Sequence, residues 1–281
     1  MILDERGVPW NSPRACVTAT VGLIVAVVLA VPLLGWAQDP GIDDIVRLVR
    51  AQDDAIDDET ADVDIRSTDA QGESRSTSLR LYWKNQRGKD GLLGLTLLVT
   101  QTPLNRKGES FLLRQAERAT DSQAWLYLPE LRQALRITIA GQDIQRPKRN
   151  ADMLLGFEQL GARLLGKAER AVAGRESLDG VEYVIVDERV DGEPDALRRF
   201  WVSPTNWTIA KIESRGAGGR IDLTQLIEWQ QVGRAWVWKR VEIRGTDPPG
   251  HTVVELRNVT VNTGLSDRVF TVNTMKSGRV P

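Results

Sequence analysis

From Ala61 onward, apolar residues recur at every second position in short runs, and this period restricts the fold more than any other feature of the chain. Residues 62–67, 76–84, 92–102 and 109–117 are such runs, separated by Gly, Asp, Asn and Ser. In the second run Leu79, Leu81 and Trp83 alternate with Arg80, Tyr82 and Lys84. Successive side chains of a strand point to opposite faces, so this run reads as a half-buried strand. Runs at 181–188, 198–202, 208–214, 221–229, 236–243 and 252–261 continue the pattern, with turns at 216–219 and 247–250. Short strands at turn spacing predict an antiparallel sheet or barrel rather than βαβ units.

Residues 124–139, AWLYLPELRQALRITI, stand at the middle of the pattern. Trp125, Leu126, Tyr127 and Leu128 form one strand, Pro129 turns the chain, and a second strand resumes at Ala134. Bulky β-formers on both faces predict one of the most buried strand pairs of the sheet. Arg132 falls at the corner and Arg136 on the second strand.

Two segments carry a helical period instead. In residues 40–56, Ile42, Ile45, Val46, Val49 and Ile56 recur near helical spacing, and Asp43 and Asp44 occupy the first turn, where the helix dipole favours acids. In residues 152–166, Met153, Phe157, Leu160 and Leu164 share one face at spacings of four, three and four. That second helix is expected either to cover the core or to plug an apolar cavity.

The N-terminal 37 residues are expected to lie outside the fold. Residues 17–34 are a continuous apolar run preceded by Arg14 and followed by the small residues Gly35 and Ala37. This is the pattern of a secretory signal cleaved after Ala37. An uncleaved N-terminal membrane anchor is the other reading, since about 18 apolar residues begin to span a bilayer. The single cysteine, Cys16, precedes the run, so it is no lipid attachment site, and the mature chain has no disulfide or thiol nucleophile. No compositional break divides residues 38–281, which are expected to form one domain.

Composition and chemistry narrow the function. A formal net charge of −1 offers nucleic acid no basic patch. His251 is the only histidine, so neither a multi-histidine metal site nor an ordinary Ser-His-Asp triad can be built elsewhere, and after the 248–250 PPG turn it reads as a surface-loop residue. Residues 216–219 lack the spacing of a phosphate-binding loop. No enzyme, metal or cofactor is expected. Nine tryptophans against four phenylalanines favour walls that bury large area while keeping one donor.

The segments WLYLPELRQALRI, NADMLLGFEQL, RRFWVSPTNWTIAKIE and DRVFTVNTMKSG occur in that order. In this the chain resembles the outer membrane lipoprotein-sorting proteins of the LolA/LolB-like type, from about Asp43 to Gly278. It departs from many relatives at residues 150–153, keeping only Asp152 of a Gly-Ser-Asp-Phe-like segment. The resemblance implies a mainly β, α+β fold: a curved antiparallel sheet, or incomplete β-barrel, with covering helices over an apolar interior. It also implies a periplasmic, monomeric carrier that binds lipid or lipoprotein acyl chains and delivers them toward the outer membrane.

A second reading makes the domain a non-catalytic accessory module of an inner-membrane transporter of the RND type. Under the first reading Trp83, Trp125, Tyr127, Trp201, Trp229, Trp236 and Trp238 are candidates for the cavity wall, with Met153, Phe157, Leu160 and Leu164 above it. Ordinary β-core packing is the alternative for each aromatic. Arg132 and Arg136 are the candidate polar anchors, for a helical lid or for an anionic head group.

Overall fold

Among the described residues of a computed structural model, helix α1 (Ile42–Asp54) leads into thirteen strands, followed by a short helix, α2 (Val272–Ser277). The structure describes residues 40–116, 121–137, 168–190, 193–246, 249–278 and 280. The apolar run at 17–34 and the predicted helix at 152–166, with Met153, Phe157, Leu160 and Leu164, lie outside these residues.

The strands are β1 (Asp58–Thr68), β2 (Ser74–Asn85), β3 (Leu92–Thr102), β4 (Ser110–Ala116), β5 (Gln123–Leu128), β6 (Gln133–Ile137), β7 (Arg170–Leu178), β8 (Val181–Val190), β9 (Glu193–Val202), β10 (Ile209–Arg215), β11 (Ile221–Val232), β12 (Ala235–Thr246) and β13 (Pro249–Val261). All belong to one sheet in the order β6-β5-β4-β3-β2-β1-β13-β12-β11-β10-β9-β8-β7. Two meanders therefore meet where β1 pairs antiparallel with β13. The ends of the chain's β region sit at the centre of the sheet, while β6 and β7, consecutive in sequence, form its two open edges. The sheet is curved and does not close.

Alternation sorts the side chains as the sequence period predicts. Val63 and Ile65 of β1 face Leu256 and Val254 of β13, and Leu79, Leu81 and Trp83 continue the same face on β2. These residues join Phe111, Ala124, Val184, Val186, Phe200, Ile212 and Ile227 in one cluster spanning both meanders. Such a cluster can form only on the concave side. Helix α1 adds Ile45 and Val49, both buried, and its acidic first turn holds Asp43 and Asp44 as expected.

A second cluster lies on the opposite face of β3 and β4. Leu95, Leu97 and Leu112 alternate with the concave Leu98 and Phe111, and Val269, Phe270 and Met275 from the C-terminal segment cover them. Helix α2 is capped by Thr271, whose hydroxyl accepts from the Thr274 N–H, and ends at Gly278 with φ of 63°, a left-handed conformation suited to glycine. Each large side chain buried here contributes on the order of 1.5–3 kcal/mol.

Asp58 fixes the path of that C-terminal segment. Its buried carboxylate accepts from the backbone N–H groups of Thr263 (2.8 Å), Gly264 (2.8 Å) and Leu265 (3.1 Å), and from the Thr263 hydroxyl (2.8 Å). Burial by itself would raise the Asp58 carboxyl, but these four donors outweigh it and hold the group below the ordinary aspartate range.

Two expectations are corrected. The strand pair at 124–139 is not among the most buried: β5 is mostly half-buried, and β6 is an exposed edge strand. Bulky residues on both faces arise because β5 contributes to both clusters, with Leu126 on the concave one and Trp125 and Tyr127 on the other. His251 lies on strand β13 rather than in a loop, with Nε2 3.0 Å from Glu242.

Candidate functional site

The open sheet presents one extended apolar wall, its concave face, bounded by the two unpaired edges. A register row crosses this wall from β7 to β12: Val172, Val186, Phe200, Ile212, Gln225 and Ile243 are successive partners. On the other side of the seam, Leu126 of β5 pairs with Leu135 of β6, and Ala124 pairs with Ile137.

The apolar surface does not end cleanly at the edges. Among the described residues, four of the large exposed apolar side chains lie on the two edge hairpins: Leu131 (56 % exposed) and Leu135 (42 %) at β5–β6, Val172 (40 %) and Val181 (51 %) at β7–β8. Leu135 and Val172 both extend the concave face, since their cross-strand partners Leu126 and Val186 belong to the concave cluster. Exposed apolar groups thus stand on both edge hairpins of the sheet.

A charged row borders the apolar one. Arg170, Glu188, Arg198 and Ser214 are successive partners across β7 to β10, two residues along each strand from the apolar row and on the same face. Arg170 places Nε 2.7 Å and Nη2 2.6 Å from Oε2 of Glu188, and Arg198 pairs through Nη2 with Oε1. The Glu188 side chain is 2 % exposed and that of Arg170 7 %, whereas Arg198 is 49 % exposed. One buried carboxylate is thus shared by two guanidiniums, one of which reaches solvent.

The convex face carries different chemistry. Arg240 lies within ion-pair distance of Glu228, Glu242 and Glu255, and Glu242 also accepts from Arg244. The Arg244 hydrogen bond holds the Glu242 carboxyl low against the opposing effect of burial, with Arg240 and His251 contributing further. Asp62 is lowered chiefly by the amide of Asn258, at 2.7 Å, and then by Arg80. This face is a solvated charge ladder, and each exposed pair in it contributes little.

The aromatics singled out from sequence are divided between faces. Trp83, Trp229 and Trp238 pack with the concave cluster, Trp229 donating from Nε1 to the Ile209 carbonyl at 2.8 Å. Gly94 makes room for the first of them: a Cβ there would sit 3.1 Å from Trp83 Nε1. Trp125 and Tyr127 pack with the second cluster, where Arg114 lies over the Trp125 ring at 5.6 Å. Trp201 alternates with the concave Phe200 and Val202, so it points to the other face, buried beneath the Lys211 ammonium at 4.2 Å. Trp236 is half-buried between Ala235 and Val237. Arg132 occupies the β5–β6 turn with φ of 52°, and Arg136, opposite Trp125, is exposed on β6.

Sequence reasoning passed over Arg170, Val172, Glu188 and Arg198. A signal for the last two existed. Glu188 continues the apolar phase of Val184 and Val186, and Arg198 that of Phe200 and Val202, so each charge sits on the core side of its strand.

Comparison with known proteins places this architecture. A family model described as "-like: Uncharacterized protein" matches residues 94–277, more than half of the chain. No curated protein matches the sequence significantly. Among solved structures, the chain is similar to a DUF1329 family protein from Desulfovibrio piger, with TM-score 0.70 and 18% identity over 84% of this chain and 99% of that one. A putative outer membrane lipoprotein-sorting protein domain from Vibrio parahaemolyticus gives TM-score 0.69 and 20% identity over 83% and 97%. A LolA superfamily protein from Nitrosomonas europaea gives 0.60 and 16% over 83% and 99%. The unclosed curved sheet is the fold these proteins share with it. The chain belongs to the family that the matching model defines, and its fold is LolA-like.

Proposed function

We propose that this protein is a non-catalytic periplasmic carrier that takes an acyl chain, of a lipid or of a lipidated protein, against the concave face of its sheet. The observation that carries the reading is the pairing of Leu135 and Val172. Both extend the concave apolar face, both are exposed, and they stand on the two opposite edges of the same sheet. Shielding an acyl chain from water contributes about 0.8 kcal/mol per buried CH₂, so exposed apolar edges beside an apolar wall suit such cargo. The likeness to the lipoprotein-sorting domain from Vibrio parahaemolyticus is consistent with a lipid-type ligand. The helix predicted at 152–166 would lie in the connection between β6 and β7, and Met153, Phe157, Leu160 and Leu164 remain candidates for contact with the chain.

The accessory-module reading draws its support from β7. Most of its residues are exposed, and among the described strands it pairs only with β8, leaving an edge on which a partner's strand could be added. Titration with a fluorescent fatty acid separates the two readings. The carrier reading expects saturable uptake, weakened about tenfold by Leu135→Asp or Val172→Asp, each of which puts a charge where apolar contact is needed. Absence of uptake by the unsubstituted protein would leave the partner-binding module in its place.

A further inference from the structure

We infer that Arg198 is the head-group anchor of the concave site, and that the ligand is therefore an anionic amphiphile rather than a neutral one. The inference rests on the carrier reading and adds the chemistry of the ligand's polar end.

Two arginines share one carboxylate in the row Arg170–Glu188–Arg198, which leaves a net charge of +1 on that row. The two are not equivalent. Arg170 is buried and sets two nitrogens on Oε2 of Glu188. Arg198 pairs with Oε1 through Nη2 alone, and half of its side chain faces solvent. A guanidinium has five N–H donors in a planar fork suited to carboxylate and phosphate oxygens. Arg198 is thus oriented by Glu188 with donors left to present to a second anion.

The surroundings give that anion a tail. Val172 follows Arg170 two residues later on the same strand and is exposed, and Val186 and Phe200 continue inward from it. The charged and apolar rows are separated by two residues of strand, roughly 6–7 Å, so a head group on the charged row reaches the apolar row within a few methylenes of its chain. One further group fits this geometry. Gln225, 7 % exposed on the apolar row two strands from Arg198, has a buried Oε1 without a hydrogen-bond partner among the described residues. A buried acceptor without a donor is costly, and a hydroxyl or amide carried along the ligand's chain would satisfy it.

The test compares probes that share a chain and differ in head charge, using the whole protein. Anthroyloxy-stearate and its methyl ester are titrated into the unsubstituted protein and into Arg198→Met, Arg198→Lys and Arg244→Met, with thermal melts confirming that each is folded. The expected result is binding of the carboxylate about tenfold tighter than the ester, lost in Arg198→Met through a weaker carboxylate alone. Arg198→Lys should retain part of the preference, and Arg244→Met, on the convex face, should retain all of it. Displacement by lysophosphatidate compared with stearate then distinguishes a phosphate from a carboxylate head as the better ligand. Equal binding of the two probes by the unsubstituted protein, or an undiminished preference in Arg198→Met, overturns the anchor while leaving the carrier reading standing. If neither probe binds, both fall.

Discussion

The two meanders of the sheet solve the burial problem differently. The β1–β6 half is packed on both faces: its concave side joins the shared core, and at β3 and β4 its outer side is covered by Val269, Phe270 and Met275. Across the β7–β13 half, the concave side is apolar, but the other face carries ion pairs such as Arg199–Asp187, Lys211–Glu213 and Arg240–Glu242. The first half behaves at β3 and β4 as a three-layer core, and the second as a two-sided sheet. The charged row on the concave side, Arg170, Glu188 and Arg198, belongs to the two-sided half. The contrast teaches that apolar packing on both faces is concentrated on one side of the β1–β13 seam and the concave charged row on the other.

Substitutions should follow this division. The largest effect is expected at Phe270, 1 % exposed where the C-terminal segment covers β3 and β4: Phe270→Ala should destabilise the protein by about 3–4 kcal/mol in denaturant unfolding, since it leaves a cavity between layers. A loss under about 1 kcal/mol would mean that the outer layer is dispensable and the halves are alike.

Asp58→Asn comes next, at roughly 2–3 kcal/mol near neutral pH, because the amide cannot accept all four bonds that latch residues 263–265. The sign with pH follows from the lowered carboxyl. Its stabilisation is complete above the ordinary aspartate pKa, near 4, and is lost as pH falls through the folded-state value. The gap between the original protein and Asp58→Asn should therefore close on acidification. A gap that is constant from neutral to acid pH would show that the carboxylate's charge is not what holds the latch.

The smallest effect is expected on the charge ladder. Arg240→Ala should cost no more than about 0.5–1 kcal/mol, less in high salt, since its partners Glu228 and Glu255 are about half exposed and Glu242 keeps Arg244 as a partner. A larger, salt-independent loss would indicate that the convex face of the β7–β13 half is as structural as the covered one.

Much of the fold is legible in the sequence because alternation is local. Leu79, Leu81 and Trp83 announce β2 and its buried face without reference to anything else, and α1 is equally plain in Ile45 and Val49. Strand β7 was invisible: RAVAGRESL carries a mid-strand glycine and only one large apolar residue before its last position, as an exposed edge permits. Helix α2 spans six residues, too few for a helical period to show. Strand order is not local at all. The segment WLYLP reads as central because its side chains are large, yet β5 lies next to the edge, where two clusters require both of its faces. The same limit governed the tryptophans. Trp83 and Trp201 are equally apolar in sequence, and only the register sets the first on the concave wall and the second on the opposite face.

The central claim is that the concave face between the β6 and β7 edges holds an acyl chain. Native mass spectrometry with lipid extraction, on protein purified from the periplasm of an expression host, tests it most directly. The account predicts co-purifying lipid of discrete mass, absent or strongly reduced in both Leu135→Asp and Val172→Asp. A protein of bare polypeptide mass that also takes up no added fatty acid would contradict it.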